Sequence, residues 1–423
     1  MKTFQETQLE NGLRIVTSPI PSDSITLLVL VGAGSRYEEL DISGISHFIE
    51  HMFFKGASRF KNTREVSEAI DSVGGQFNAF TGKEYAGYYV KLAKEKKEVA
   101  FDVISDMLIN PTFDPAEIDK ERGVIMEELN MYQDTPMYQI GWDFEKIMFG
   151  EQPMGRDQIG TKELIRGVTQ EQFMQYHDEL YGSQNTVISV AGNIEHQEIL
   201  DLVNKYFQFK ITDKKRSWAE FEGYNDEKQV IMQEKKTEQA HLCIGFPGYH
   251  TTHPDFFAEK LLSIVLGGNM SSRMFLNVRE AQGLCYYIHS TVDDYTDCGH
   301  FSTNAGVDVN RIDQAVESIV KEYQKLSENP RIEERELEKA KSYLYGKLVI
   351  NLEDSQEVAH LLGKQALLNE GMKSLDDIHQ LIKKVSLDDV ERVASDILKA
   401  EQIKLAYIGP DRTEESLLQH LHF

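Results

Sequence analysis

Two imidazoles flank a carboxylate in His47-Phe48-Ile49-Glu50-His51. At about 3.6 residues per turn, His47 and His51 project from one helix face a turn apart and Glu50 falls beside them. That pattern can hold Zn²⁺ next to a general base, and it reverses the commoner H-E-x-x-H order. The chemistry it suits is metal-assisted hydrolysis, with Glu50 taking a proton from water and passing it to a leaving group. The run from Gly44 to Phe54 is otherwise apolar, which predicts a buried helix. A buried carboxylate needs a partner, and a divalent cation supplies one.

Two histidines leave a catalytic zinc one protein ligand short, because such sites use three protein groups and keep a position for water. Downstream, Asp114-Pro115 is a helix start, with an N-capping Asp and Pro at the first helical position, and Pro136 limits the far end. Between them Ile118, Glu121, Ile125, Glu128 and Tyr132 share one face at alternating steps of three and four. Glu128 is therefore the expected third ligand for one zinc per subunit, and Glu121 the carboxylate that orients a ligating histidine. Glu127 falls on the other side, with Lys120 and Asn130, and is expected in solvent.

The elements that must position these groups can be read from pattern. Gln76 to Thr81, then Gly82-Lys83, then Tyr85 to Leu92 reads as a hairpin whose outer strand could pair with an extended peptide. The chain also reads as duplicated. Thr26 to Val31 pairs with Ala240 to Phe246, and Asn185 to Asn193 pairs with Gln402 to Pro410, each in a similar succession of strand, helix and hairpin. The zinc motif has no second copy, its place being taken by the Gly267-Gly268 loop and the following helix. The polar stretch 213–228 is the expected linker between a zinc-binding domain, 1–212, and a homologous domain, 229–423. The fold expected is α+β, two homologous halves, each a mainly antiparallel sheet with helices packed on one face.

These motifs, in this order, resemble the insulinase/pitrilysin inverted-zincin metallopeptidases, in the branch of short two-domain subunits that includes the beta subunit of mitochondrial processing peptidase and its bacterial homologues. The resemblance runs from Asn11-Gly12-Leu13-Arg14 to Gly409 and includes Gly74 to Thr81, Gly267 to Arg273 and Val278 to Tyr286. It implies a zinc endopeptidase acting on unfolded peptides in a closed chamber. It further implies that Asn78, Ala79 and Phe80 contact substrate and that Arg279 and Tyr286 hold the substrate backbone near the zinc. Because the long relatives carry four such domains and this chain two, it implies a homodimer whose active sites are completed in trans. The long glycine-rich loop of the non-catalytic processing-peptidase subunit is missing, so recognition of targeting presequences does not follow. The rival implication is a non-catalytic scaffold subunit, since relatives of this fold serve as core proteins with degraded metal sites.

Composition agrees with an enzyme rather than a nucleic-acid or anionic-membrane binder: 45 basic against 69 acidic residues give a net charge of −24 over 423 residues. Cys243, Cys285 and Cys298 are odd in number and far apart, which reads as reduced thiols. The N-terminal residues lack an apolar signal core and no run is long enough to span a bilayer, so a cytoplasmic location is expected.

Overall fold

A computed structural model describes residues 4–209, 217–328, 331–368 and 371–422. The chain forms two compact units. Unit 1 comprises residues 1–129, 157–219 and 348–378, and unit 2 comprises 130–156, 220–347 and 379–423. Of the expected linker, residues 213–216 lie outside the described residues, and 217–226 carry no regular structure.

Unit 1 is built on strands β1 (Gln5–Gln8), β2 (Arg14–Pro19), β3 (Ser24–Val31), β4 (Gln76–Thr81), β5 (Ala86–Ala93) and β6 (Thr186–Gly192), in the order β1-β2-β6-β3-β5-β4. Only β2 and β6 run parallel; the other neighbours are antiparallel. Unit 2 repeats the plan with β7 (Val230–Glu234), β8 (Gln239–Pro247), β9 (Cys285–Asp294), β10 (Gly299–Asp308) and β11 (Lys404–Gly409), in the order β7-β11-β8-β10-β9. Here too there is a single parallel pair, β7 with β11, but β7 is itself the first strand of the unit. The pairing of β3 with β8 and of β6 with β11, expected from sequence similarity, is thus the pairing of topologically equivalent strands. Among the described residues only β1 lacks a counterpart.

Six helices bear on the site and on its counterpart in unit 2: α1 (Ile45–Phe53), α2 (Pro115–Asp134), α3 (Pro136–Phe149), α4 (Phe256–Gly267), α5 (Glu334–Asn351) and α6 (Ser355–Leu367). Each half of the sequence contributes one helix to the other half's sheet. Helix α6 lies on β2, β6 and β3 of unit 1, and α3 lies on β7, β11 and β8 of unit 2. The cores on the two faces of a sheet are distinct. Leu28 and Leu30 of β3 pack against Val358, Ala359 and Leu362 of α6. In unit 2, Cys243 and Ala406 pack against Phe144 of α3, while Leu242 and Ile244 face Leu261, Leu262 and Val265 of α4.

The layered α+β fold read from the sequence is present, with one refinement: the second face of each sheet, expected to be open, is covered by the exchanged helix. Its trace in the sequence is β3 itself, a near-continuous apolar run with every residue from Ile25 to Val31 buried, as a strand covered on both faces requires. The Gly267-Gly268 pair does not stand in place of the zinc helix. It ends α4, and α4 is the helix that occupies the position of α1.

Candidate metal centre

Helix α1 begins at Gly44, which has φ +100 and offers no side-chain cap. A Cβ there would lie 2.6 Å from the Ile159 carbonyl oxygen, so both backbone conformation and space call for glycine. The cap comes from a distance: the buried Glu38 carboxylate accepts from the amides of Gly44 at 2.7 Å and Ser46 at 2.8 Å. A negative group at a helix N-terminus is favoured by the helix dipole as well as by the bonds it makes. Phe48, Ile49, Met52 and Phe53 bury one side of α1. His47, Glu50 and His51 are only half-buried on the other, so the helix is less enclosed than its composition suggested, and its polar face opens toward solvent.

Helix α2 starts where expected, with Asp114 Oδ1 accepting from the Ala116 amide at 2.8 Å. Ile118, Glu121, Ile125 and Leu129 are buried, and Glu127 is exposed. Glu128 reaches both histidines: its Oε1 lies 3.5 Å from His47 Nε2 and its Oε2 3.4 Å from His51 Nε2. The imidazole rings are 4.8 Å apart. His47, His51 and Glu128 are the one group of three ligating side chains whose donor atoms converge, within 4.8 Å of one another, among the described residues.

His51 Nδ1 is 3.0 Å from Glu121 Oε1, and Glu121 Oε2 is 2.6 Å from Lys55 Nζ. Burial alone would lower the His51 pKa, but its bonds to Glu121 and Glu128 outweigh that and raise it to about 9. Burial likewise works against ionised Glu121, yet hydrogen bonds from His51 and Lys55 hold its pKa below the usual carboxylate value. Glu128 is pushed down further by hydrogen bonds from the two histidines. Glu50 moves the other way. Burial raises its pKa, opposed by a hydrogen bond donated by the Thr81 hydroxyl and by the charges of His47 and His51. Two carboxylates on neighbouring helices are thereby set apart, one suited to ligation and one to proton transfer.

The donor set fits zinc. Zn–N and Zn–O bonds of about 2.1 Å arranged as a tetrahedron place neighbouring donors roughly 3.4 Å apart, the separation of Glu128 from both histidines and longer than a good charged hydrogen bond. His51 already spends Nδ1 on Glu121, which leaves Nε2 to face the cluster. His47 and His51 keep 15% and 22% side-chain exposure, enough for an incoming group to reach them.

Strand β4 is the edge of the unit 1 sheet, with no further strand beside it among the described residues, and packs beside α1. Thr81, at its end, binds Glu50. Ala79, two residues back, shares that face, whereas Phe80 points to the other and stacks edge-on against Tyr85 and His360 at 6.0 and 5.5 Å. Asn78 is exposed on the Phe80 face, with its Oδ1 turned to the Ala79 amide at 2.9 Å. Arg279 and Tyr286 lie in unit 2. Arg279 sits in the π-helical turn Phe275–Glu280 with its guanidinium 4.5 Å from the Phe275 ring, and Tyr286, at the start of the edge strand β9, is 74% exposed.

Thr81 and Lys55 were missed in the sequence. Lys55 had a local signal, standing four residues after His51, in the turn that follows the motif helix. Thr81 had a weaker one, the period-two alternation that puts it on the same strand face as Ala79.

Residues 14–162 match the family model described as "Insulinase (Peptidase family M16)", and residues 167–344 match "Peptidase M16 inactive domain". The chain belongs to the insulinase (M16) peptidase family. It is 38% identical to the uncharacterized zinc protease YmxG of Bacillus subtilis over 95% of this chain and 97% of that one. It is 33% identical to an uncharacterized zinc protease of Streptomyces coelicolor, over 99% and 92% respectively. Among solved structures, a protease from Helicobacter pylori superposes with a TM-score of 0.90 at 24% identity, covering 97% of this chain and all (100%) of that one. A peptidase M16 inactive domain from Pseudomonas fluorescens does so with 0.88 at 18%, covering 97% and 98%. At these identities the two structures speak to the fold alone. No helix among the described residues is long and apolar enough to cross a membrane.

Proposed function

We propose that this chain is a zinc-dependent endopeptidase that hydrolyses unfolded peptides, with His47, His51 and Glu128 as metal ligands and Glu50 as the general base. The observation that carries the reading is the convergence of those three donors beside a carboxylate whose pKa is raised. Zinc held there would act as a Lewis acid toward water and the scissile carbonyl. Glu50, fixed by the Thr81 hydroxyl, takes the proton from water and returns it to the leaving amine. Glu121 holds the His51 ring in one tautomer, and Lys55 keeps Glu121 ionised.

The free edge of β4 offers main-chain groups to an extended peptide, read through its backbone, with Ala79 on the metal side. For Asn78 and Phe80 the contact would run through the main chain, since Phe80 turns its ring away. Arg279 supplies fixed donors and Tyr286 a phenol for the substrate backbone and the developing oxyanion. They act from a second copy of the chain, in a homodimer that closes a chamber and excludes folded proteins. The zinc-binding and Arg/Tyr-bearing domains are those read from the sequence, 1–212 and 229–423, and the enzyme works in the cytoplasm.

The test is zinc content per subunit together with cleavage of a quenched fluorogenic peptide, for wild type and Glu50→Gln. About one zinc in both and turnover roughly 10²–10⁴-fold lower in Glu50→Gln are expected. No zinc and no cleavage in either protein would replace the enzyme with a scaffold.

A further inference from the structure

The two units differ at the strand edge farthest from β4 and β9. In unit 1 that edge belongs to β2, and β1 covers it in an antiparallel ladder from Gln5↔Thr17 to Gln8↔Arg14. In unit 2 the equivalent strand is β7, which among the described residues has no strand on its outer side. Gln229 O accepts from Leu405 N, and Lys235 N donates to Gly409 O. By the two-residue alternation of a strand, residues 231 and 233 also face β11, so the main-chain groups of Val230, Met232 and Glu234 point outward. Superposing β6 on β11 through Gly192 and Gly409 brings the β1-paired stretch of β2 onto residues 229–232.

That place is a groove rather than a filled corner. A cavity of about 700 Å³ runs along Val230, Ile231 and Met232, with the end of α3 and the segment 222–228 as its far wall. Its ionisable lining is Glu151, Glu222, Glu227 and Glu414 against Lys146 and Lys228. All six are exposed, and none makes an ion pair among the described residues. An open backbone ladder within an acidic groove selects for an extended chain with basic side chains.

We propose that the outer edge of β7 is a docking site for an extended, Lys/Arg-rich peptide segment, which adds a strand where unit 1 carries β1. The site stands on unit 2 alone and is independent of the metal centre.

The test uses the full chain carrying Glu50→Gln, so that a probe survives, and a fluorescein-labelled peptide of alternating lysine and valine. Binding should slow hydrogen exchange at the Met232 and Glu234 amides. Met232→Pro removes an outward donor without touching the β11 ladder, a place where an edge strand tolerates proline. It should weaken binding roughly ten-fold or more, as should the double charge reversal Glu151→Lys/Glu222→Lys, with little binding left for the same peptide bearing glutamate in place of lysine. If Met232→Pro does not fold, the charge reversal and the exchange measurement decide. Protection confined to β4, or unchanged affinity in the charge-reversed chain, overturns the proposal.

Discussion

Unit 1 and unit 2 share strand order and succession of helices, yet among the described residues only unit 1 gathers a ligand set. The contrast lies in two pairs of equivalent helices. Helix α1 keeps His47, Glu50 and His51 half-buried on one side, whereas α4 buries nearly its whole length in the core, with Leu261, Leu262, Val265 and Leu266 where packing rather than chemistry rules. Helix α2 carries Glu121 and Glu128. At the same distances before the N-cap of the following helix, α5 carries the buried Ala340 and the exposed Lys347. The fold thus supplies two equivalent frames, and a handful of side chains decides which one can hold a metal. The frame without the metal keeps a buried carboxylate of its own, Glu259 on α4, which accepts from the Tyr249 amide.

The sharpest way to break this contrast is to make unit 1 resemble unit 2. Glu128→Lys, which copies the α5 residue, should abolish zinc binding and reduce peptide cleavage by roughly four orders of magnitude or more. Metal analysis and the fluorogenic assay check it, and retained zinc would remove Glu128 from the ligand set. A second step asks whether the two units work together across subunits. Mixed and re-equilibrated Glu50→Gln and Arg279→Ala chains, each nearly inactive alone, should recover roughly a quarter of wild-type turnover, because half the dimers contain one intact site out of two. No recovery would mean that the site does not combine residues from two subunits.

Next in size is the support behind the ligands. Glu121→Gln keeps an acceptor for His51 Nδ1 but loses the charge and the Lys55 pair, and zinc affinity should fall about 10- to 100-fold. Competition with a chromophoric chelator measures it. An unchanged affinity would reduce Glu121 to a packing residue.

Much of this is legible in the amino-acid sequence alone. The H-x-x-E-H helix, the face of α2 that presents Glu121 and Glu128 and the β4–β5 hairpin rest on local pattern, the correspondence of β6 with β11 rests on similarity between the two halves, and each is found. The features that escape it arise from contacts between distant segments. The Thr81 hydroxyl reaches Glu50 only once the hairpin packs on α1, and Glu38 caps α1 from outside the helix. The exchange of α3 and α6 leaves no mark in either helix's own pattern. Its one trace lies in the strand it covers, since β3 is apolar on both faces.

The smallest effect on turnover is expected in unit 2, and it tests whether α4 is purely structural. Glu259 is fully buried, and burial raises its pKa to about 8. Its unfolded value is near 4.5, so the folded state favours the protonated form. The stability this contributes is full below pH 4.5 and is lost as pH rises through about 8. The unfolding free energy of wild type, obtained from denaturant titrations, should therefore fall between pH 5 and 8 by an amount on the order of a few kcal/mol. Glu259→Gln, neutral throughout and still able to accept from the Tyr249 amide, should flatten that slope while leaving zinc content and cleavage rate at neutral pH unchanged. A slope that persists in the variant would assign the pH dependence to other groups. A loss of cleavage would mean that the metal-free frame does more for catalysis than its packing suggests.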